Sequence, residues 1–366
     1  MNHAPVSWAD PARAHAFSQW LQSLVAAHDL QPSSLRMASA DASFRRYLRI
    51  DTGAASAVRS CIIMDAPPAL EDNPAFVRIA ELMHQAGLHA PQVLAWDQAN
   101  GFLLLSDLGT HTMLEVMAPP SDAVAVPTPA DHAYFRQAID ALVRWQVASQ
   151  PGVLPAYDDA LLSRELALFP EWYVARHRGL TLSPAQQTTL DDAFALIKAN
   201  NLQSLGGARV YVHRDFMPRN LMVVPAGANG SEAELGVLDF QDAVYGPISY
   251  DIASLMRDAF VTWGEDFVLD VTVRYWKKAQ KAGLPVGDDF GEFYRAVEWM
   301  GSQRHLKILG IFARLTLRDG KPKYLADAPR FVQYARHTAA RYRALGPFMV
   351  LLDHIEGNET RVGYTF

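Results

Sequence analysis

The strongest constraint on the fold comes from two short apolar segments, residues 221–224 and 235–238, which flank a turn-rich stretch. Residues 225–232 between them consist largely of Pro, Gly, Ala, Asn and Ser, which favour a chain reversal. The two segments are therefore predicted to form a β-hairpin. Because an antiparallel pair places the start of one strand beside the end of the other, Asn220 is expected to lie next to Asp239.

A third strand, predicted over residues 210–212, leads into the loop that carries Asp215. Two carboxylates and one amide are thus expected to converge at one end of the hairpin. Asp239 and Asn220 would supply the oxygen ligands that Mg²⁺ prefers, and Asp215 would accept the proton of an attacking hydroxyl. This arrangement suits phosphoryl transfer from ATP, in which the protein contributes mainly positioning and charge neutralisation.

The same residues match a catalytic pattern. Kinases carry H-R-D-x-x-x-x-N followed by D-F-G, and the chain has this pattern from His213 to Asn220, followed by Asp239-Phe240-Gln241. The alternative is a surface loop with scattered polar residues. The predicted hairpin and the apolar strand before Asp239 favour the catalytic interpretation.

Two departures distinguish the chain from protein kinases. Met217 stands two residues after Asp215, where those enzymes carry Lys, and no A-P-E sequence follows residues 239–242. This compact form resembles the aminoglycoside/choline phosphotransferase family, whose members phosphorylate small-molecule hydroxyls on a protein-kinase-like fold. The resemblance implies that Asp215 is catalytic, that ATP and Mg²⁺ are the cofactors, and that Asp251 helps to hold the catalytic loop.

The resemblance also implies the fold class, which is α+β and two-lobed. A small N-lobe with an antiparallel sheet is predicted over residues 1–107, and a larger, mainly helical C-lobe with the catalytic hairpin over residues 108–366. Strands near 35–38, 45–50, 61–65, 94–96 and 101–105 are expected to form a five-stranded sheet. Helices are predicted from Asp10-Pro11, over 74–86, from an Asp131 cap to about 149, and over 160–178, 250–260, 267–282 and 290–309.

The loop of residues 39–44 lies where kinases place a glycine-rich phosphate cover, yet it contains no glycine. Its backbone amides and the Ser43 hydroxyl are predicted to reach a phosphate, with an ordinary hairpin turn as the alternative. The third strand ends in Met64, where kinases have a phosphate-binding Lys. Arg45 or Arg46 is expected to supply the missing charge, because Arg binds phosphate in a bidentate manner.

Two other predictions follow from position in the kinase-like plan. Ser106 and Leu108 belong to a segment placed like the kinase hinge, where backbone groups would meet adenine. Glu81 lies on the predicted helix over 74–86, at the place of the Glu that pairs with the kinase Lys. Without that Lys, a solvated helix charge is an equal interpretation of Glu81.

Further segments carry a closer resemblance within the family. Residues 39–47, 64–68, 239–247 and 303–315 resemble the bacterial kinases that phosphorylate the anomeric hydroxyl of N-acetylmuramate and N-acetylglucosamine for peptidoglycan recycling. The implied substrates are an amino sugar and ATP, and the implied product is the sugar 1-phosphate. Asp242, in the third of these segments, is predicted to contact the sugar.

Two helical segments supply further candidate sugar contacts. Trp172 lies in an aromatic and charged run, and its ring would stack on a pyranose; an amphipathic core helix is the alternative. Arg304 and Lys307 form a cationic cluster that would receive the lactyl carboxylate of a muramic acid, or else they mark a solvated helix end.

Composition bounds the remaining possibilities. A net charge of −6 provides no overall basic field, so no nucleic-acid partner is expected. The single cysteine, Cys61, lies in an apolar strand and is typical of a buried thiol in a reducing cytoplasm. With no signal peptide and no bilayer-length apolar run, a cytoplasmic protein without membrane contact is expected. No obligate protein partner is indicated.

Two alternative functions stay open at this point. One is a kinase of another small-molecule hydroxyl, of the aminoglycoside, choline or homoserine type. The cationic cluster at Arg304 and Lys307 disfavours it, since cationic acceptors need acidic pockets. The other is a non-catalytic nucleotide-binding protein, which the absent Lys suggests. The intact Asp215, Asn220 and Asp239 argue against that interpretation.

Overall fold

The computed structural model describes residues 6–40, 44–54, 56, 58–119, 124–224 and 234–358. Its helices are α1 Pro11–His28, α2 Asn73–Gln85, α3 Met113–Met117, α4 Pro129–Val147, α5 Asp159–Leu168, α6 Pro184–Gln203, α7 Tyr250–Met256, α8 Glu265–Lys281, α9 Phe290–Leu317, α10 Ala328–Arg341 and α11 Gly346–Glu356. Its strands are β1 Arg36–Ala40, β2 Arg46–Asp51, β3 Ser60–Asp65, β4 Val93–Asp97, β5 Phe102–Ser106, β6 Val124–Ala125, β7 Arg209–Val212, β8 Leu221–Val224, β9 Glu234–Val237, β10 Val244–Pro247 and β11 Thr262–Trp263.

The chain forms two compact units. The first comprises Met1–Thr112 with Leu221–Asp242, and the second comprises Met113–Asn220 with Ala243–Phe366. The first is built on β-sheet and the second is mainly helical, so the predicted α+β class is confirmed. The β8–β9 hairpin, which the sequence analysis assigned to the larger lobe, groups with the first unit. The boundary after residue 107 stays a prediction.

The first unit contains the predicted five-stranded antiparallel sheet, in the order β1-β2-β3-β5-β4. One face is covered by α1, whose Phe17 and Leu21 join a buried cluster with Leu48, Ile63 and Leu104 from the strands. Cys61 is part of the same cluster, which confirms that it is a buried structural thiol. All four apolar residues of β5 are buried, as expected for a strand covered on both faces.

Several helices begin at the same kind of local sequence, a side-chain acceptor followed by proline. Asp10, Asp72, Thr128 and Ser183 each accept a hydrogen bond from a backbone N–H in the first helical turn. Proline at the first or second position of each helix supplies a preset φ and lacks an N–H that would need a partner. Such caps explain why the starts of α1, α2 and α4 were predicted within a few residues, whereas α6, which has the same kind of cap at Ser183, was not predicted.

Three predicted helix boundaries in the second unit were wrong in detail, and one of them is the end of the helix expected over 290–309, which extends to Leu317. Thr128 rather than Asp131 is the N-cap of α4, and Asp131 forms the reciprocal half of a capping box. The helix expected over 250–260 ends at Met256. It ends there because the buried Asp258 accepts hydrogen bonds from the N–H groups of Phe260 and Val261, each at 2.8 Å, and so stabilises a turn.

Helix α9 is the centre of the second unit and packs against α5, α6, α7 and α10. A π-helical segment, Phe169–His177, continues α5 and also lies against α9. Gly310 permits this approach, because a Cβ at that position would lie 2.4 Å from the carbonyl carbon and oxygen of Leu168. The close contact brings the polar side chains of α5 and α9 within hydrogen-bonding distance of one another.

Helices in the described part of the chain lack the combined length and apolarity of a bilayer-spanning segment.

Candidate active site

The loop between β7 and β8 carries Asp215 and is held by Asp251. Strand β7 pairs with β10 in an antiparallel register, which fixes the start of the loop. Asp251, fully buried in the first turn of α7, accepts hydrogen bonds from the backbone N–H groups of His213 at 2.7 Å and Arg214 at 3.0 Å. Burial raises the pKa of Asp251, while these donors and the nearby Arg304 act in the opposite direction. These contacts support the role predicted for Asp251.

Internal hydrogen bonds complete the conformation of this loop. The backbone N–H of Asp215 donates to Nδ1 of His213 at 3.2 Å, and Nδ2 of Asn220 donates to the carbonyl oxygen of Asp215 at 2.9 Å. Both contacts use the backbone of Asp215, so neither of them occupies its carboxylate. The amide of Asn220 is oriented by the same contact.

Arg214 has an unusual backbone conformation. Its φ of 78° lies in the left-handed region, where a residue with a Cβ is strained by about 1–3 kcal/mol. Contacts with three other residues help to hold it there. They are the N–H bond to Asp251, a hydrogen bond of 2.6 Å from Nη1 of Arg304 to its carbonyl oxygen, and a 2.5 Å bond from its Nη2 to Glu165. The strain lies next to the proposed base, where backbone strain is commonly stored.

Glu165 of α5 is the centre of a buried polar cluster. Besides Arg214, it receives Lys307 at 2.8 Å, Gln303 at 2.7 Å and the Tyr157 hydroxyl at 2.6 Å. Burial opposes ionisation of Glu165, but Lys307 and Arg214 outweigh it and lower its pKa to about 2. Glu165 is therefore a carboxylate at neutral pH. Removing one partner of such a buried pair typically destabilises a fold by about 3–5 kcal/mol.

Arg304 and Lys307 are buried, with 2% and 8% of their surfaces exposed. Neither forms a solvated helix end. Lys307 contacts Glu165 and the Tyr250 hydroxyl, and the Arg304 guanidinium lies over the Tyr250 ring at 4.7 Å. Their predicted contact with a sugar carboxylate stays a prediction, whereas their observed contacts support the catalytic loop.

Trp172 lies in the π-helical segment and is 8% exposed. It belongs to the large hydrophobic cluster of the second unit, and the guanidinium of Arg176 lies 3.9 Å from its ring centroid. The observed surroundings match the amphipathic-helix alternative. Stacking of this ring on a sugar stays a prediction.

In the first unit, β8 and β9 form the predicted hairpin, with Leu221 opposite Val237. Asn220 directly precedes the first of these strands in the chain, and Asp239 follows the second after Leu238. Asp239 also has a left-handed φ, 63°, and accepts a 2.9 Å hydrogen bond from Nε2 of Gln241. Asp242 ends this segment and is exposed.

Phe240 anchors the segment that carries Asp239. Its ring is fully buried and lies 4.9 Å from the ring of Phe76 in α2. Sequence reasoning missed Phe76, although its spacing from Ile79 and Met83 on the buried face of α2 marks it as a core position. The contact fixes the backbone next to Asp239 without using its carboxylate.

The two arginines near the predicted phosphate loop have different surroundings. Arg46 donates to Asp65 at 2.8 and 2.5 Å and lies over the Trp8 ring at 4.1 Å. Arg45 is 7% exposed and pairs with Glu71 at 3.0 Å. Ser43 lies outside the described residues.

The acidic partner of Arg45 was missed from the sequence. Glu81, predicted at the kinase position, is exposed and accepts from Gln85, which matches the solvated-charge alternative. Glu71 lies before α2 rather than within it, so helical periodicity gives no signal for it.

The predicted hinge segment is rigidly held. Asp107 accepts from Arg49 at 2.6 and 3.0 Å, from the Ser60 hydroxyl at 2.7 Å and from the Gly109 N–H at 2.9 Å. Burial raises the pKa of Asp107, but Arg49 and Ser60 outweigh it and the net shift is downward. Adenine contact by Ser106 and Leu108 stays a prediction.

The oxygen donors of Asn220 and Asp239 suit a hard divalent cation. Asn220 belongs to the second unit and offers an amide oxygen, Asp239 belongs to the first and offers a carboxylate, and Mg²⁺ usually takes few such protein ligands beside nucleotide phosphates and water. Across the described ranges, no three His, Cys, Asp or Glu side chains gather to hold a metal by themselves. The residues present therefore fit an ion that arrives with a nucleotide.

Comparisons with known proteins agree with this chemistry. A family model described as "Phosphotransferase enzyme family" matches residues 34–290. A protein of Pseudomonas aeruginosa named N-acetylmuramate/N-acetylglucosamine kinase is 46% identical over 94% of this chain and 97% of its own length. A relative of the same name from Neisseria meningitidis is 45% identical over 95% of this chain and 97% of its own.

Solved structures share the fold at low identity. A choline kinase from Streptococcus pneumoniae aligns with a TM-score of 0.56 and 13% identity, covering 90% of this chain and 100% of that chain. The ADP-bound aminoglycoside phosphotransferase APH(2'')-Ib also has a TM-score of 0.56 and 13% identity, covering 88% and 98% of the two chains. At these identities the likeness shows the fold alone, and it confirms the predicted kinase-like fold.

Proposed function

The chain belongs to the phosphotransferase enzyme family, as the sequence motifs predicted, and is therefore a kinase of a small-molecule hydroxyl. We propose that its acceptor is the anomeric C1 hydroxyl of N-acetylmuramate or N-acetylglucosamine. The donor is ATP, and the product is the sugar 1-phosphate for peptidoglycan recycling. The observation that carries this proposal is the 46% identity, over 94% of the chain, to a relative named for these two sugars.

Asp215 is the proposed base. It accepts the proton of the C1 hydroxyl while that oxygen attacks the γ-phosphorus, the bond to the β–γ bridging oxygen breaks, and ADP leaves. An anomeric hydroxyl is more acidic than an ordinary alcohol, so a single carboxylate can serve as its base. The hydrogen bonds at the Asp215 backbone leave its carboxylate available for this step.

The proposed magnesium ligands are Asn220 and Asp239. When bound, Mg²⁺ would neutralise charge on the transferring phosphate, which matters here because Met217 replaces the Lys of protein kinases. Asn220 would contribute an amide oxygen whose orientation is set by its bond to the Asp215 carbonyl. Asp239 would contribute the carboxylate, on a backbone that Phe240 anchors.

The C1 assignment is tested by blocking that position. With ATP and Mg²⁺, N-acetylglucosamine and N-acetylmuramate are expected to yield 1-phosphates, identified by phosphorus NMR. The methyl glycoside of N-acetylglucosamine is expected to yield nothing, although its C6 hydroxyl is free. A 6-phosphate from either compound would overturn the C1 assignment. Turnover of choline or an aminoglycoside, with none of the sugars, would overturn the sugar assignment.

We further propose that Arg45 supplies the charge of the missing Lys. Arg45 directly follows the predicted phosphate loop and pairs with Glu71, much as the kinase Lys pairs with a Glu, whereas Arg46 is committed to Asp65 and Trp8. Arg45→Met is expected to raise the apparent KM for ATP about tenfold, or ~1.4 kcal/mol, with the sugar KM unchanged.

Arg46→Met is the matched comparison for Arg45→Met. It removes one of the two arginines paired with Asp65, the other being Arg13, so it is expected to lower Tm more than it changes the KM for ATP. Steady-state kinetics at varied ATP and a thermal melt measure both effects. Normal ATP kinetics in both variants and in the double variant would place the phosphate contact elsewhere.

A further inference from the structure

The cluster around Glu165 connects α5 and α9, which are far apart in the sequence, to Arg214, the residue that precedes the proposed base. Glu165 is on α5 and Lys307 is on α9, and both are almost fully buried. Glu165 is 2.5 Å from the side chain of Arg214 and 2.8 Å from Lys307. Nothing in the phosphoryl-transfer chemistry itself requires this cluster, because none of its members is a candidate base or metal ligand.

We propose that Glu165, with Lys307 and Arg304, is a positioning device that sets the conformation of Arg214 and thereby the place of Asp215. The inference rests on the proposed role of Asp215 as the base. It assigns Arg304 and Lys307 to the catalytic loop instead of to a carboxylate on the sugar.

The contacts on Arg214 show how the device acts. Arg214 adopts its left-handed φ of 78° only while it is held, because a relaxed conformation would release strain of about 1–3 kcal/mol. Glu165 holds its guanidinium, Arg304 holds its carbonyl oxygen, and Asp251 holds its N–H. A change in any of these contacts alters ψ of Arg214 or φ of Asp215, and the Asp215 carboxylate moves with the backbone.

Charge complements this geometry. The Glu165 carboxylate forms ion pairs with both Arg214 and Lys307, so the two cations share one carboxylate. Burial opposes protonation of Lys307, but Glu165 and Asp215 are among the anionic groups that outweigh it, and its pKa is raised. Glu165, Arg214 and Lys307 are therefore all charged at neutral pH, and neutralising one of them changes the charge balance of the other two.

Glu165→Gln tests the device with almost no change in side-chain shape. It is expected to lower kcat by about 10–100-fold, because a small displacement of a catalytic group has effects of that size. The KM values for ATP and for the sugar are expected to stay within about twofold, since the substrates are bound by other residues. The acceptor is whichever compound wild type phosphorylates, so a failed sugar assignment does not affect this test.

Glu171→Gln is the matched control, since Glu171 forms an exposed pair with Arg176 in the adjoining segment.

Coupling between two substitutions separates positioning from mere stability. Lys307→Met alone is expected to lower kcat, and the Glu165→Gln/Lys307→Met double variant is expected to lower it little further than Glu165→Gln alone, since both substitutions act through the same contact to Arg214. Glu165→Asp, which keeps the charge, is the second variant if Glu165→Gln does not fold. A lower Tm with wild-type kcat in the folded variants would overturn the proposal.

Arg304→Met distinguishes the two roles considered for Arg304. Loss of positioning is expected to lower kcat equally for N-acetylmuramate and N-acetylglucosamine. A raised KM for N-acetylmuramate alone would instead show that Arg304 binds the lactyl carboxylate, and would remove it from the device. If wild type uses neither sugar, the kcat of Arg304→Met is measured with the acceptor that wild type does use. A kcat equal to that of wild type would then exclude Arg304 from the device.

Discussion

Asp215→Asn is expected to lower kcat by about 10²–10⁴-fold, the range typical for loss of a general base. Asn has nearly the same shape but cannot accept the hydroxyl proton. The fold of the loop is expected to persist, because its hydrogen bonds use the backbone N–H and carbonyl of Asp215. ATP binding is expected to change little, since Asp215 is neither a proposed metal ligand nor a proposed phosphate contact. Rapid-mixing kinetics and nucleotide titration measure the two quantities separately.

The control for Asp215→Asn is Asp319→Asn, which changes a carboxylate that pairs with Arg318 on the surface. This variant is expected to match wild type in kcat, because an exposed pair contributes little. Near-wild-type turnover in a folded Asp215→Asn protein would exclude Asp215 as the base. Equal loss of ATP affinity and kcat would instead indicate a role in holding the nucleotide.

The catalytic loop and the hairpin were predictable because local sequence determines them. Short β-branched and apolar runs, a turn-rich stretch and the spacing from His213 to Asn220 are all readable without knowledge of the tertiary fold. The register differs by one residue from the one expected, since strands over 221–224 and 235–238 would pair Leu221 with Leu238 and not with Val237. The helix starts at Asp10 and Asp72 were equally local, since each is set by one cap and one proline, and Ser183 has the same local signal although no helix was predicted there.

Residues whose role depends on distant partners could not be predicted in this way. Arg304 and Lys307 read as a cationic cluster, and only the packing of α9 shows that both are buried and meet Glu165 and Arg214. Glu165 itself carried a signal that was not used. It lies beside Leu162 and Leu166 on the buried face of α5, and a carboxylate on such a face needs cationic partners.

The arginines of the first unit show the same limit. Sequence position alone made Arg45 and Arg46 equivalent candidates for the phosphate contact. The sheet distinguishes them, because Arg46 lies opposite Asp65 in the β2–β3 pair and so meets that carboxylate directly. Cross-strand pairing depends on register, which neighbouring residues on one strand do not reveal.

Asp239→Ala is expected to raise the Mg²⁺ concentration needed for half-maximal activity by more than about 100-fold, since even outer-sphere partners of a metal cost 10–100-fold. A carboxylate brings both charge and an oxygen to the ion, whereas the amide of Asn220 brings only a dipole. The effect of Asn220→Ala on the Mg²⁺ requirement is therefore expected to be smaller.

Asn220→Ala and Asp239→Ala each have a second effect besides the loss of a metal ligand, and the experiment must separate the two effects. Asn220→Ala also removes the hydrogen bond to the Asp215 carbonyl, so its kcat is expected to stay below wild type even at saturating Mg²⁺. Alanine at 239 must adopt a φ of 63°, which strains it, so Asp239→Asn is the better matched variant. Asn tolerates that conformation, keeps one oxygen and removes the charge. If Asp239→Asn and Asn220→Ala shift the Mg²⁺ requirement equally, or in the reverse order, charge at Asp239 is not what holds the ion.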